Sequence, residues 1–130
     1  TPNSIEARRL ANDDDQEFEL DECARRLLDT GCEYVLITGT HENTAQVINT
    51  LYRDQELVRS DSWQRLPGSY HGSGCTLASA IAAHLARGFD VPEAVREAQE
   101  YTWQTLHKAF RLGMGQQIPD RLFWVRDEEA

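Results

Sequence analysis

Residues 20–38 read LDECARRLLDTGCEYVLIT, and this stretch decides the fold class. Leu20, Cys23, Ala24, Leu27 and Leu28 fall at helical spacing, and Gly31 follows where a helix commonly places its left-handed stop. Tyr34-Val35-Leu36-Ile37-Thr38 is then a short, nearly continuous apolar run, which predicts a strand buried on both faces. Helix, glycine and buried strand in that order form an α/β signature.

Upstream, Asn3 and Glu6 stand at capping-box spacing before Ala7, Leu10 and Ala11, which predicts a short helix. An acidic loop, Asn12-Asp13-Asp14-Asp15-Gln16-Glu17, separates it from the helix at Leu20. Downstream, residues 45–52 and 56–63 are strand candidates joined through Arg53-Asp54-Gln55 as a hairpin. Residues 66–72 are loop by composition. Residues 75–87 are rich in alanine and leucine, and Gly88 is placed to stop that helix. Pro92 takes a helix N1 position ahead of a long amphipathic face that includes Ala94, Val95, Ala98, Tyr101 and Leu106. The end is irregular until a last strand expected over residues 122–125. The helix over 75–87 is apolar nearly all round and calls for more sheet than this chain supplies. A homo-oligomer, or completion by missing upstream residues, would meet that need.

With 130 residues and 40% apolar content, the chain is sized for one packed domain. Its net charge of -9 argues against nucleic acid and against an anionic membrane face as partners, since both favour basic patches. The acid gathers in the run at 12–17 and in the tail Asp127-Glu128-Glu129, patterns that predict solvated loop and chain end rather than a metal site. Cys23, Cys32 and Cys75 are an odd set with no CxxC pair, so a disulfide framework or zinc site is not expected, and a reducing, cytoplasmic compartment is. No apolar run reaches membrane-spanning length and no signal peptide is visible. The sequence begins at Thr1, directly on a motif, and a piece of a longer protein is expected.

Three constellations carry chemistry. Gly72-Ser73-Gly74-Cys75 opens a helix; its glycines let successive N–H groups converge where the helix dipole is positive, which suits a phosphate or a phosphoryl oxyanion. The same field favours the Cys75 thiolate. A glycine-rich loop ahead of a helix with a small cysteine is the plainer alternative. Asn3 and Glu6 are either a capping box worth about 1 kcal/mol or a carboxylate that holds magnesium beside phosphates. Thr38-Gly39-Thr40-His41 leaves the buried strand at its carboxyl end, where open α/β sheets bind ligands; an ordinary loop exit has the same composition. His84 and His107 fall inside helices, and Trp63, Trp103 and Trp124 are too scattered for a base-stacking platform.

Taken together and in this order, these segments resemble the hydroxymethylpyrimidine/phosphomethylpyrimidine kinase family of the ribokinase-like superfamily. The resemblance rests on Thr1-Pro2-Asn3-Ser4-Ile5-Glu6-Ala7, on Val35-Leu36-Ile37-Thr38-Gly39-Thr40-His41, and above all on His71-Gly72-Ser73-Gly74-Cys75-Thr76-Leu77-Ala78-Ser79-Ala80-Ile81-Ala82. Tyr101 and residues 113–121 also look like the carboxy-terminal half of that family. The resemblance implies a single partial domain over residues 1–130, the later portion of a mostly parallel sheet flanked by helices. It implies ATP-dependent phosphoryl transfer to a small-molecule pyrimidine alcohol and then to its phosphate, in thiamine biosynthesis. On this resemblance Cys75 matches the base or proton relay, and Gly72, Ser73 and Gly74 match the anion hole. Asn3 and Glu6 match a motif that works with Mg, while Thr38, Gly39, Thr40 and His41 match the segment under the nucleotide. One departure is visible: the family segment usually reads Lys-Gly-Gly-His, and here Thr38 and Thr40 replace the lysine and the second glycine. The part expected to carry most pyrimidine contacts lies outside this sequence, so the chain alone is expected to be inactive or incomplete.

Two other functions fit the same residues. One is a related vitamin kinase of the pyridoxal type; the other is a non-catalytic module of this fold that binds a nucleotide or a partner. A cysteine hydrolase fits poorly, because no His/Asn partner motif accompanies Cys75.

Overall fold

The computed structural model describes residues 1–14 and 17–125. The chain divides into two compact units, Thr1–Arg65 and Leu66–Ala130. Asp15 and Gln16 of the acidic run, and the acidic tail at 127–129, lie outside the described residues.

The first unit is an α/β body with the order α1 (Ser4–Leu10), α2 (Leu20–Asp29), β1 (Tyr34–Ile37), β2 (Gln46–Arg53) and β3 (Glu56–Gln64). The decisive stretch folds as its spacing predicts: Cys23, Ala24, Leu27 and Leu28 are buried on one face of α2, and Gly31 takes a positive φ of 114°. Val35, Leu36 and Ile37 are exposed by 5%, 3% and 2%, so β1 is buried on both faces. Val35 and Ile37 join Ala7, Cys23, Leu28 and Tyr52 in one apolar cluster.

The sheet order is β1-β2-β3, with both pairs antiparallel. On the other side of β1 a single parallel bridge joins Asn3 to Thr38. The hairpin closes through Asp54 and Gln55, both at positive φ (51° and 66°), a turn whose twist suits the flanking strands. Gln55 donates from Nε2 to Asp29 Oδ1 at 2.8 Å, which ties the turn to the end of α2.

Asp13 is a correction to the solvated acidic run. It is buried, and its two carboxylate oxygens accept from the Glu17 and Phe18 amides at 2.9 Å each. The carboxylate closes the loop by satisfying backbone donors.

The second unit is built on α3 (Ser73–Ala86) and α4 (Val91–His107). Thr76, Leu77 and Ile81 of α3 are buried, as are Ala94, Val95, Ala98, Gln99, Thr102 and Thr105 of α4. Asp90 caps α4 by accepting from the Glu93 amide at 2.9 Å, so the helix begins at Val91 and Pro92 stands second rather than first. On α3 only one face is covered: Ala78, Ser79, Ala82, Ala83, Leu85 and Ala86 are exposed.

The strand expected over 122–125 does not form; residues 123–125 make a helical turn, with the Val125 amide donating to Leu122 O at 3.0 Å. Phe123 and Trp124 contact each other edge-on, with centroids 5.4 Å apart, and both lie within 6.3 Å of Tyr101. Alternation along a strand would send those two rings to opposite faces. His84 stacks on Phe89 and His107 on Trp103, so both act as ordinary helix residues. Among the described residues no helix is long and apolar enough to cross a membrane.

Ile37 sits in the buried cluster, and Ile37→Ala is expected to lower unfolding stability by about 2–5 kcal/mol, read as a shifted urea midpoint with an unchanged m-value.

Candidate active site

In the first unit the capping box is fully formed. Asn3 Oδ1 accepts from the Glu6 amide and the Asn3 amide donates to Glu6 Oε2, each at 2.9 Å. Two backbone bonds then hold this helix start against the exit of β1: Thr38 N donates to Pro2 O and Ser4 N donates to Thr38 O, both at 3.0 Å. The structure therefore brings Asn3 and Glu6 beside the Thr38–Gly39 exit.

Gly39 is required there, because a Cβ would run into the Ile48 backbone carbonyl. Its amide donates to the buried Asn49 side chain at 3.1 Å. Thr40 and His41 are exposed in the turn that follows.

Sequence spacing gave no warning of what holds that turn. Arg65 donates to Thr40 O at 2.8 Å, to Glu42 O at 2.6 Å and to Thr44 O at 2.8 Å. Arg8 adds an ion pair to Glu42 at 2.6 Å. The arginines lie 23 and 34 positions from Glu42, beyond any local pattern.

In the second unit Gly72 adopts φ 92° and ψ 7°, a left-handed residue immediately ahead of helical Ser73. That pairing of conformations makes successive amides converge. α1 and α4 each cap a first-turn amide with a side chain, whereas α2 and α3 have no side-chain cap. The Ser73, Gly74 and Cys75 amides accordingly donate to no backbone acceptor among the described residues. Cys75 is an exposed free thiol in this first turn. The loop is registered from the other side by the carboxy-terminal segment: His71 N donates to Gln117 O at 2.9 Å, and Gln117 N donates to Ser69 O at 2.8 Å.

Arg121 is the second residue that the sequence left unassigned. Its Nε donates to Thr76 Oγ1 at 3.0 Å, and that hydroxyl donates to Gly72 O at 2.7 Å. Tyr101 donates from its hydroxyl to Arg121 O at 2.8 Å, fixing the backbone that carries the guanidinium. Burial pushes the Tyr101 hydroxyl pKa up while the Arg121 charge opposes it, so the group stays a donor. Arg121 Nη2 lies 2.8 Å from where a Gly72 Cβ would stand, which puts a permanent positive charge against the turn. Cys75, Thr76, Ser79, Tyr101, Arg121 and Trp124 line a groove of about 480 Å³.

Among the described residues no group of three or more His, Cys, Asp or Glu side chains is gathered for a metal ion. Asn3 and Glu6 offer one carboxylate and one amide side chain.

The fold is ribokinase-like: the chain is similar to Bacillus subtilis pyridoxal kinase, solved as an ADP complex, with a TM-score of 0.82 and 27% identity over 92% of this chain and 46% of that one. The phosphomethylpyrimidine kinase family model matches residues 1–120, and the chain belongs to that family. The thiamine biosynthesis bifunctional protein ThiED of Geobacter sulfurreducens is 39% identical over 117 residues, 88% of this chain and 24% of that protein. The hydroxymethylpyrimidine/phosphomethylpyrimidine kinase of Rhizobium meliloti is 36% identical over 121 residues, 89% of this chain and 44% of that kinase. The chain thus spans less than half the length of these relatives.

Two glycines of the turn separate by substitution. Gly72→Ala is expected to lower stability by about 1–2 kcal/mol, because alanine is strained at φ 92° and its Cβ meets Arg121. Gly74→Ala, with nothing within 4 Å of its Cβ, is expected to be neutral or stabilising by up to about 1 kcal/mol in the same denaturation measurement.

Proposed function

We propose that the protein containing this chain is a cytoplasmic kinase that transfers the terminal phosphoryl group of ATP to hydroxymethylpyrimidine, and then a second phosphoryl group to the product's phosphate, in thiamine biosynthesis. The observation that carries this function is the uncapped turn at Gly72–Cys75, whose amides, thiol and neighbouring guanidinium suit an acceptor hydroxyl and a charged phosphoryl group. Family membership and the nucleotide complex of the similar pyridoxal kinase support ATP as donor. Since the family match runs through both units, we assign them to one partial domain, the carboxy-terminal half of such a kinase. Activity is proposed for the longer protein, not for these residues alone.

Each group has a distinct task. The Gly72, Ser73 and Gly74 amides hold the equatorial oxygens of the transferring group, where charge is spread in a loose transition state. Arg121 adds the positive charge that the turn itself supplies only as a dipole. Cys75 accepts the proton of the acceptor hydroxyl as its oxygen bonds to phosphorus and the bond to the departing ADP breaks. Thr38, Gly39, Thr40 and His41 form the nucleotide segment. Asn3 and Glu6 fit Mg²⁺, because Glu6 commits Oε2 to the Asn3 amide and keeps Oε1 outside that bond, and this ion is commonly bound through one carboxylate and several waters. When bound, Mg²⁺ neutralises phosphate charge.

A pyridoxal-type acceptor is the second function with an observation behind it, namely the similarity to the Bacillus subtilis enzyme. Parallel assays of the wild-type full-length protein with hydroxymethylpyrimidine and pyridoxal decide between them by kcat/KM. Cys75→Ala is expected to lower kcat with the preferred alcohol by about 100-fold or more, and an unchanged kcat would remove the thiol from the mechanism. Arg121→Gln is expected to lower kcat by about 100-fold. Arg121→Lys should recover part of that loss, since the charge is kept and the fork is not.

A further inference from the structure

We propose that Arg65 is the positioning residue of the nucleotide segment, and that the groups it presents are the backbone amides of His41 and Asn43. The inference rests on the kinase function above and extends it to Arg65 and Asn43, which neither the motifs nor the comparisons assign.

Arg65 follows directly on β3, which ends at Gln64. Its guanidinium donates to three carbonyls of one short loop: Nη1 to Thr40 O at 2.8 Å, Nη2 to Glu42 O at 2.6 Å and Nε to Thr44 O at 2.8 Å. Nη2 also reaches Thr44 Oγ1 at 3.2 Å. A planar, rigid fork satisfying three carbonyls leaves the loop a single arrangement.

The arrangement has a direction. In a trans peptide the carbonyl and the following N–H point opposite ways. Turning Thr40 O and Glu42 O toward Arg65 therefore turns the His41 and Asn43 N–H groups away from it. Both residues are exposed, and neither amide donates to a backbone acceptor among the described residues. The Glu42 amide between them is spent internally on Gly39 O at 3.1 Å. Two outward donors on a fixed loop at the carboxyl end of β1 suit the acceptor oxygens of a nucleotide. They also need no lysine at position 38, where this chain has threonine. A second tether, the Arg8–Glu42 ion pair at 2.6 Å, holds the same loop through one side chain.

The test uses the full-length protein that contains this chain. ADP affinity is measured by calorimetry, and kcat and KM for ATP are measured separately, for wild type, Arg65→Lys, Arg65→Ala and Glu42→Gln. Arg65→Lys and Arg65→Ala are expected to raise both the ADP Kd and the ATP KM by about 10-fold or more, with kcat at saturating ATP and the KM for the alcohol little changed. Glu42→Gln, which keeps the Arg65 bonds and weakens the Arg8 tether, is expected to give a smaller rise of the same kind. It also supplies the reading if Arg65→Ala does not fold. Folded Arg65→Lys with wild-type Kd and KM would overturn the proposal, as would a loss confined to kcat or to the folded fraction. Wild type that binds no ADP would sink the kinase function itself, a different result from a functional kinase indifferent to Arg65.

Discussion

Thr38 lies where the first unit is pinned. Its amide and carbonyl bond Pro2 and Ser4, and in doing so they fix the helix carrying Glu6 against the end of the buried strand. β1 can serve as that reference because both its faces are buried, so it has little freedom to twist or slip. The loop from β1 to β2 then passes through Gly39, where only hydrogen fits beside the Ile48 carbonyl. Everything proposed to touch nucleotide or metal in this unit is set from that one strand end.

The second unit solves a related problem by withholding a cap. α1 and α4 each spend a side chain on a first-turn amide, which stabilises the helix by about 1 kcal/mol. α3 forgoes this at Gly72 and keeps its amides open. The carboxy-terminal segment compensates by holding the loop through Gln117 and the first turn through Arg121 and Thr76. Open donors held rigid are what charge stabilisation requires, since nothing must reorganise when an anion arrives.

Much of this was legible in the sequence, and the remainder was hidden for physical reasons. Helical spacing, Gly31 and the run at 34–38 gave the α/β class, and the capping box was visible as Asn3 with Glu6. Those signals are local, with a period or a fixed offset. Asp13 reads as solvated acid in the sequence because its partners are backbone amides, which leave no side-chain signature. The strand expected at 122–125 failed because Tyr101, some twenty positions away, draws Phe123 and Trp124 to one side. Arg65 and Arg121 were unreadable for the same reason: a guanidinium bonded to distant carbonyls or a distant hydroxyl has no spacing rule.

The loop clamp on Arg65 has a consequence for the conditions the protein tolerates. The partners of Arg65 are carbonyls, which carry no net charge, and hydrogen bonds to them are less screened by salt than an exposed ion pair. The Arg8–Glu42 tether is a part-buried pair, its side chains 18% and 28% exposed, and salt screens such a pair far less than an exposed one. In a chain of net charge -9 with Lys108 its only lysine, the loop after β1 is thus expected to keep both arginine tethers in brine as well as in dilute buffer.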